Sequence, residues 1–323
     1  MNVIFFGSSG MSVPFLEGLY KSGHRITLVI TKTDKQAGRG RKLTPNIVKS
    51  SAAELGINFI QINKFNDTFY EDFKKFKFDV AVVVSFGEII PEKILNIKKA
   101  EWLNIHPSLL PKYRGPTPII SALLNGDSSG GVSIIKVTPE VDKGEMYAQV
   151  KFGINEDENR EGYQMKVVKF GIPALLTVLD MLKAGNASTY PQGEENTTYT
   201  HKIKSEDLRI NWEYSAVKIN NRIRAFSPEP GAYFFWKGLR IKILKARVPD
   251  ESERNQFFSG LKADKESVKN GLVVMADKKS GIAVRCNERE IIKIELLKPQ
   301  GRKTMAARDF INGYRISAGE NLE

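Results

Sequence analysis

The first pattern along the chain is a short apolar run, Asn2–Gly7, which ends in glycine and predicts a buried strand. Residues 13–22 then place Val13, Leu16, Leu19 and Tyr20 at the spacing of one helix face. Residues 26–31 and 57–62 read as further strands, and 46–55 and 67–76 as helices. Residues 78–85 are almost wholly apolar and β-branched, as expected of a strand covered on both faces of a parallel sheet. A helix beginning at Pro116, strands over 131–138 and 146–154, and a long amphipathic helix over 161–184 continue the alternation. This order predicts a Rossmann-like, mostly parallel α/β domain over residues 1–185. Residues 186–207 are rich in Asn, Thr, Gly, Gln and Glu without an apolar period, and read as a linker. Helical spacing returns over 212–226. Short strands at 232–236, 240–248, 272–276, 281–286 and 291–298, separated by glycine turns, predict a small β-barrel within 208–323.

Composition narrows the setting. A chain of 323 residues has room for two domains. The single cysteine, Cys286, excludes an internal disulfide and a multi-cysteine metal site, and suits a reducing cytoplasm. His24, His106 and His201 lie far apart, so no structural zinc is expected. The chain runs straight into a strand pattern without a basic n-region, and no apolar run reaches membrane-spanning length; neither signal peptide nor membrane is expected. The net charge is +12, from 49 basic and 37 acidic residues. Residues 209–323 hold 23 basic and 14 acidic residues, against 26 and 23 over 1–208. The basic excess of the C-terminal part suits a polyanionic partner, nucleic acid being the usual one, although an inert solubilising surface gives the same balance.

Candidate chemistry centres on Asn104-Ile105-His106, at the end of the apolar Trp102-Leu103. Two residues apart on an extended backbone, Asn104 and His106 point to one side. Pro107 and Pro111 stop strand and helix from continuing. An amide donor beside an imidazole suits a reaction that builds negative charge on a carbonyl oxygen. An isolated Asn-x-His serves equally well as a turn cap and a structural histidine. Gly7-Ser8-Ser9-Gly10 lacks both the dinucleotide-binding spacing and a phosphate-loop lysine, and reads as a tight strand-to-helix turn. Residues 32–45 hold five basic residues, two glycines and one acid: a basic loop able to approach phosphates, or a solvated loop.

The longer string Asn104-Ile-His-Pro-Ser-Leu-Leu-Pro-Lys-Tyr-Arg-Gly115 resembles the signature of the 10-formyltetrahydrofolate-dependent formyltransferases. Ala37-Gly-Arg-Gly-Arg-Lys-Leu43 is similar to the inserted loop of the methionyl-tRNA formyltransferases, and residues 222–234 resemble the start of their C-terminal domain. The resemblance implies transfer of a formyl group from 10-formyltetrahydrofolate to the amine of initiator methionyl-tRNA, for translation initiation, with no metal and no covalent intermediate. It implies a catalytic set of Asn104, His106 and Asp142. Phe86, Gly87, Ile89, Ile90, Ser108, Leu109, Leu110 and Pro111 would line the folate. Arg39 would be the principal tRNA contact, aided by Arg41 and Lys42. The last domain would be an OB-like barrel laying a basic surface on tRNA, with Lys242, Lys245, Arg247, Lys298, Arg302 and Lys303 as candidate phosphate contacts. A cytoplasmic monomer is expected. Thr138-Pro139 departs from the family's usual approach to the aspartate and bears on the shape of that loop. Two alternatives stand beside this reading. One keeps the chemistry with glycinamide ribonucleotide or an amino sugar as acceptor. The other is a non-catalytic RNA-binding protein on the same fold.

Overall fold

The computed structural model describes residues 1–37, 42–97, 100–259, 269–287 and 290–323. They gather into two compact units. The first comprises Met1–Pro118, Ser129–Gly153 and Gln164–His201; the second comprises Ile119–Ser128, Ile154–Tyr163 and Lys202–Glu323.

The chain begins with β1 (Asn2–Gly7), α1 (Ser12–Lys21), β2 (Arg25–Lys32) and a hairpin of β3 (Lys35–Ala37) and β4 (Lys42–Thr44). It continues through α2 (Ile47–Glu54), β5 (Phe59–Ile62), α3 (Asp67–Phe73), β6 (Val80–Val84), α4 (Glu92–Leu95) and β7 (Glu101–His106). Then come α5 (Pro118–Leu124), β8 (Ser129–Lys136), β9 (Met146–Gly153) and α6 (Arg160–Ala184). The first unit's sheet has the order β5-β2-β1-β6-β7-β8-β9. It is parallel from β5 to β7, whereas β8 and β9 run antiparallel. The strand order runs outward from β1 on one side and from β6 on the other. Open sheets of this kind bind ligands beyond the carboxyl ends at such a reversal. β6 is buried at every position, as its unbroken apolar sequence requires. Phe6, Phe73, Phe78, Phe86 and Trp102 pack around it as an aromatic cluster on one face.

The second unit adds α7 (Ala216–Phe226), β10 (Ala232–Trp236), β11 (Leu239–Arg247), α8 (Glu251–Ser259), β12 (Val273–Asp277), β13 (Gly281–Arg285), β14 (Ile291–Pro299), β15 (Met305–Ala306) and α9 (Ala307–Tyr314). Its antiparallel sheet has the order β10-β11-β14-β13-β12, with β15 on β14. The two edges meet the tail of the chain. Phe235 and Glu323 exchange backbone bonds at 2.7 and 2.8 Å, and Val273 N donates to Glu320 O at 2.8 Å. The tail therefore covers edges that would otherwise present unpaired backbone groups. Buried Arg224 donates to the carbonyls of Leu123, Asn155 and Glu158, tying α7 to the two earlier segments of this unit. The helix expected from Trp212 starts instead at Ala216, because Ser215 accepts from Lys218 N at 3.3 Å and caps it there. Among the described residues no helix is long and apolar enough to cross a membrane.

Candidate active site

Asn104 and His106 leave the same face of β7. β7 lies between β6, where Val83 pairs with Asn104, and β8, where Asn104 pairs with Ile135 and His106 with Ser133. His106 is only 3% exposed. Its Nε2 lies 2.9 Å from the Tyr113 carbonyl oxygen and its Nδ1 lies 3.5 Å from Asp142 Oδ2. Each ring nitrogen thus faces a group that only accepts.

Asp142 arrives from the loop between β8 and β9. β8 ends at Lys136, opposite Leu103. To reach His106 the loop must double back along β7 by three residues, roughly 10 Å. Gly144 permits the reversal, since a Cβ there would stand 1.7 Å from the Lys136 carbonyl oxygen. Asp142 sits at φ +54°, a left-handed conformation that aspartate adopts more readily than most residues. Its Oδ1 accepts from Asn104 Nδ2 at 3.1 Å and its Oδ2 from Gly115 N at 2.9 Å. Burial pushes the carboxyl up, but the His106 charge and hydrogen bond, with the Gly115 and Asn104 donors, outweigh it and hold the group below its ordinary value. Three polar side chains expected from the sequence to act together do converge.

The loops expected to line the folate follow β6 and β7, whose parallel pairing sets them side by side. Phe86 and Ile90 are buried in the aromatic cluster, whereas Gly87 and Ile89 are exposed. Ser8 Oγ donates to the carbonyls of Ser85 and Phe86 at 3.0 and 2.8 Å, so the β1–α1 turn fixes the first loop. In the second loop, Ser108 and Leu110 turn into the sheet. Ser133 Oγ donates to Ser108 O at 2.7 Å, and Leu110 packs with Ile135 and Met146. Leu109 lies over Gly131, where no Cβ would fit. Pro111 is half-buried and its carbonyl accepts from Thr198 N. With Phe86, Ile90, Ser108 and Leu110 turned inward, a ligand here would meet Ile89 and backbone groups.

Two residues to which the sequence gives no role, Arg114 within the Asn104–Gly115 string and Gln192 well beyond it, complete the surroundings. Arg114, 2% exposed, donates through Nε and Nη2 to Gln192 Oε1 at 3.0 and 2.8 Å. Gln192 Nε2 donates to the carbonyls of Asp142 and Gly144, both at 2.8 Å. Gln192 stands in the polar stretch that reads as a linker. The signal it carries is weak: a Pro191-Gln192-Gly193 triplet in a segment without period.

Arg39 and Arg41 fall in residues 38–41, outside the described residues, and Lys42 opens β4. The hairpin pairs from Lys35–Thr44 to Ala37–Lys42. Asp34 anchors its base, accepting from Lys49 Nζ at 2.7 Å, Asn46 N at 3.1 Å and Gln61 Nε2 at 2.7 Å. Those bonds, the Lys49 bond foremost, hold the Asp34 carboxyl at about 2. In the second unit, Lys242 and Lys298 pair with Glu229, Lys245 with Glu295, and Arg247 with Glu253 and Glu295. Arg302 and Lys303 are exposed and make no ion pair among the described residues. Cys286 is buried, its thiol pushed up to about 12 by burial and by Glu290, so it is no nucleophile at neutral pH. Among the described residues no three His, Cys, Asp or Glu gather as a metal site.

Residues 1–179 match the formyl transferase family, and residues 202–315 match the formyl transferase C-terminal domain. The chain is 39% identical over 325 residues to a methionyl-tRNA formyltransferase of Dictyoglomus thermophilum, with 100% of both chains covered. It is 38% identical to that of Dictyoglomus turgidum, covering 100% of this chain and 99% of the other. Among solved structures, HypX of Aquifex aeolicus in complex with tetrahydrofolic acid aligns with a TM-score of 0.66 at 18% identity. That alignment covers 99% of this chain and 48% of HypX, and it speaks for the fold alone. Full-length similarity of this order, on a strand-end site of this build, makes the chain a member of the formyl transferase family, among the methionyl-tRNA formyltransferases.

Proposed function

We propose that the protein transfers the formyl group of 10-formyltetrahydrofolate to the α-amine of methionine on initiator tRNA, giving formylmethionyl-tRNA for translation initiation. The full-length similarity to methionyl-tRNA formyltransferases carries this reading, and the convergence of Asn104, His106 and Asp142 supports it. The first unit, which takes in the polar stretch up to His201, would hold the chemistry, and the basic residues that follow in the second unit would meet tRNA, in a cytoplasmic, monomeric enzyme.

The neutral amine attacks the formyl carbon, and the carbonyl oxygen gains charge. One hydrogen of the Asn104 amide goes to Asp142, and the other is free to meet that oxygen. His106 supplies the second donor once the formyl oxygen takes the place of the Tyr113 carbonyl at Nε2. Donors of this kind contribute roughly 3–4 kcal/mol each. Asp142 steadies the imidazolium and accepts the amine's proton, directly or through water; the oxyanion then reforms the carbonyl as the C–N10 bond breaks, and that same proton passes on to the departing folate N10. Phe86, Gly87, Ile89, Ile90 and Ser108–Pro111 frame the folate, largely through backbone groups. Arg39, with Arg41 and Lys42, would enter the acceptor-stem region, and of the six candidate phosphate contacts Arg302 and Lys303 are the ones exposed without an ion pair among the described residues.

The deciding experiment offers labelled formyl donor with charged initiator tRNA, glycinamide ribonucleotide or an amino sugar. Transfer to tRNA at a kcat/KM far above the other two is expected; preference for either small acceptor would overturn the acceptor assignment. Absence of transfer to all three would favour the non-catalytic reading.

A further inference from the structure

The carboxylate end of Asp142 is held by the groups it would work with, Asn104 and His106, and by Gly115 N. Its backbone end is held differently. The loop has doubled back against its own strand and carries Asp142 in a left-handed conformation. What fixes it there is the Gln192 amide, whose two hydrogens reach the carbonyls on either side of Lys143, at Asp142 and Gly144. The orientation of that amide is not free. Its oxygen accepts two donors from the buried Arg114 guanidinium, which has no acceptor to offer, so the nitrogen must face the turn.

Arg114 in turn sits between the two residues that touch the site's ionisable groups. Tyr113 gives its carbonyl to His106, and Gly115 gives its N–H to Asp142. Asp142 is therefore gripped at both ends by one short loop, with Gln192 closing the ring. The segment around Gln192 is itself fixed within the first unit. Tyr190 and Met146 exchange backbone bonds at 3.0 and 2.8 Å, Arg114 N donates to Thr198 O at 2.9 Å, and Thr200 N donates to Arg114 O at 2.8 Å. Tyr113 N donates to Thr198 Oγ1 at 2.8 Å, and at Gly115 a Cβ would stand 2.7 Å from Thr200 Oγ1.

We infer that Gln192 is a positioning residue for the reaction: oriented by Arg114, it sets the Asp142 turn and so the separation of the carboxylate from His106. This rests on the reading of Asp142 as a working carboxylate. A displacement of about 1 Å at such a group can cost on the order of 10²-fold in rate.

The test uses the full chain with Gln192→Met and Gln192→Glu. The first keeps the side chain's bulk and removes its hydrogen bonds. The second keeps an acceptor for Arg114 but turns an oxygen toward two carbonyls. Both should lower kcat by roughly 10–100-fold, with KM for either substrate changed far less. The acid limb of the pH–rate profile should move to higher pH, because bonds that favour the Asp142 carboxylate are loosened. Added to Asp142→Asn, either change should cost little more, since both act through one group. If Asp142→Asn is impaired while both Gln192 variants keep the parent kcat and pH profile, the inference fails and the reading of the site stands. Fully additive losses would also overturn it, as would both variants melting below the assay temperature, which would mark a purely structural contact. Parent activity in Asp142→Asn would instead sink the underlying reading.

Discussion

At the scale of single residues, the site is defined by who donates and who accepts. One of the two Asn104 amide hydrogens goes to Asp142, and the proposed mechanism gives the other to the developing oxyanion. If Asn104 acts as the proposed oxyanion donor, Asn104→Ala should lower kcat by roughly 10²–10³-fold, far more than the modest fall in melting temperature expected from the lost bond to Asp142; steady-state formylation of charged tRNA and a thermal melt read the two. Asp142 gives a pH prediction. Its folded-state pKa is depressed, so its contribution to stability is complete above the ordinary value of 3.8 and is lost as pH falls through the lower folded value. The stability gap between the parent and Asp142→Asn should be widest near neutrality and close as pH drops below 3.8, measured by urea midpoints. A gap that widened in acid would show that the carboxyl is not held ionised. Gly144→Ala should abolish activity, because the Lys136 carbonyl leaves no room for a methyl group and the loop must leave its course.

At the scale of elements, three anchors stand out. Asp34 ties the base of the β3–β4 hairpin to Asn46, Lys49 and Gln61. If that hairpin delivers Arg39 to tRNA, Asp34→Ala should raise KM for charged tRNA and leave that for the folate nearly unchanged. Equal changes in both would count against the hairpin's assignment. The tail residues 319–323 bridge β10 and β12, with Trp236 Nε1 donating to Glu320 at 2.7 Å. Deleting them removes several backbone bonds worth about 1 kcal/mol each and should lower the unfolding free energy by ~3–5 kcal/mol in a denaturant titration. The third anchor is the polar stretch before residue 202, whose hydrogen bonds to both site loops belong to the first unit.

At the scale of the whole molecule, charge and chain path matter most. The basic excess lies C-terminal, yet Lys242, Lys245, Arg247 and Lys298 are already paired with glutamates. Arg302→Ala with Lys303→Ala should therefore lower the slope of log affinity for tRNA against log salt by about 1 for each phosphate no longer neutralised; an unchanged slope would clear both side chains of any phosphate role. Cutting the chain at 208 is a poorer test. Ile119–Ser128 and Ile154–Tyr163 pack with the C-terminal residues, and Arg224 would vanish from three carbonyls it now satisfies. Sequence order and compact unit do not coincide here.

The sequence by itself determined most strands and helices of the first unit, from the apolar run of β6 to the spacing on α1, because burial writes its period directly into residue types, whereas the short β3–β4 hairpin falls in a polar stretch that reads as a loop and the one-turn α4 has no period to read. It also determined that Asn104 and His106 share a face, since a strand alternates by geometry alone. It could not determine how a distant loop returns to meet them. That depends on a glycine's clearance from a carbonyl, on a left-handed aspartate, and on an amide 50 residues away holding the turn. Nor could it show that a segment without period is bound throughout by hydrogen bonds. Such bonds leave no apolar pattern, and only the tertiary structure decides which polar groups find each other.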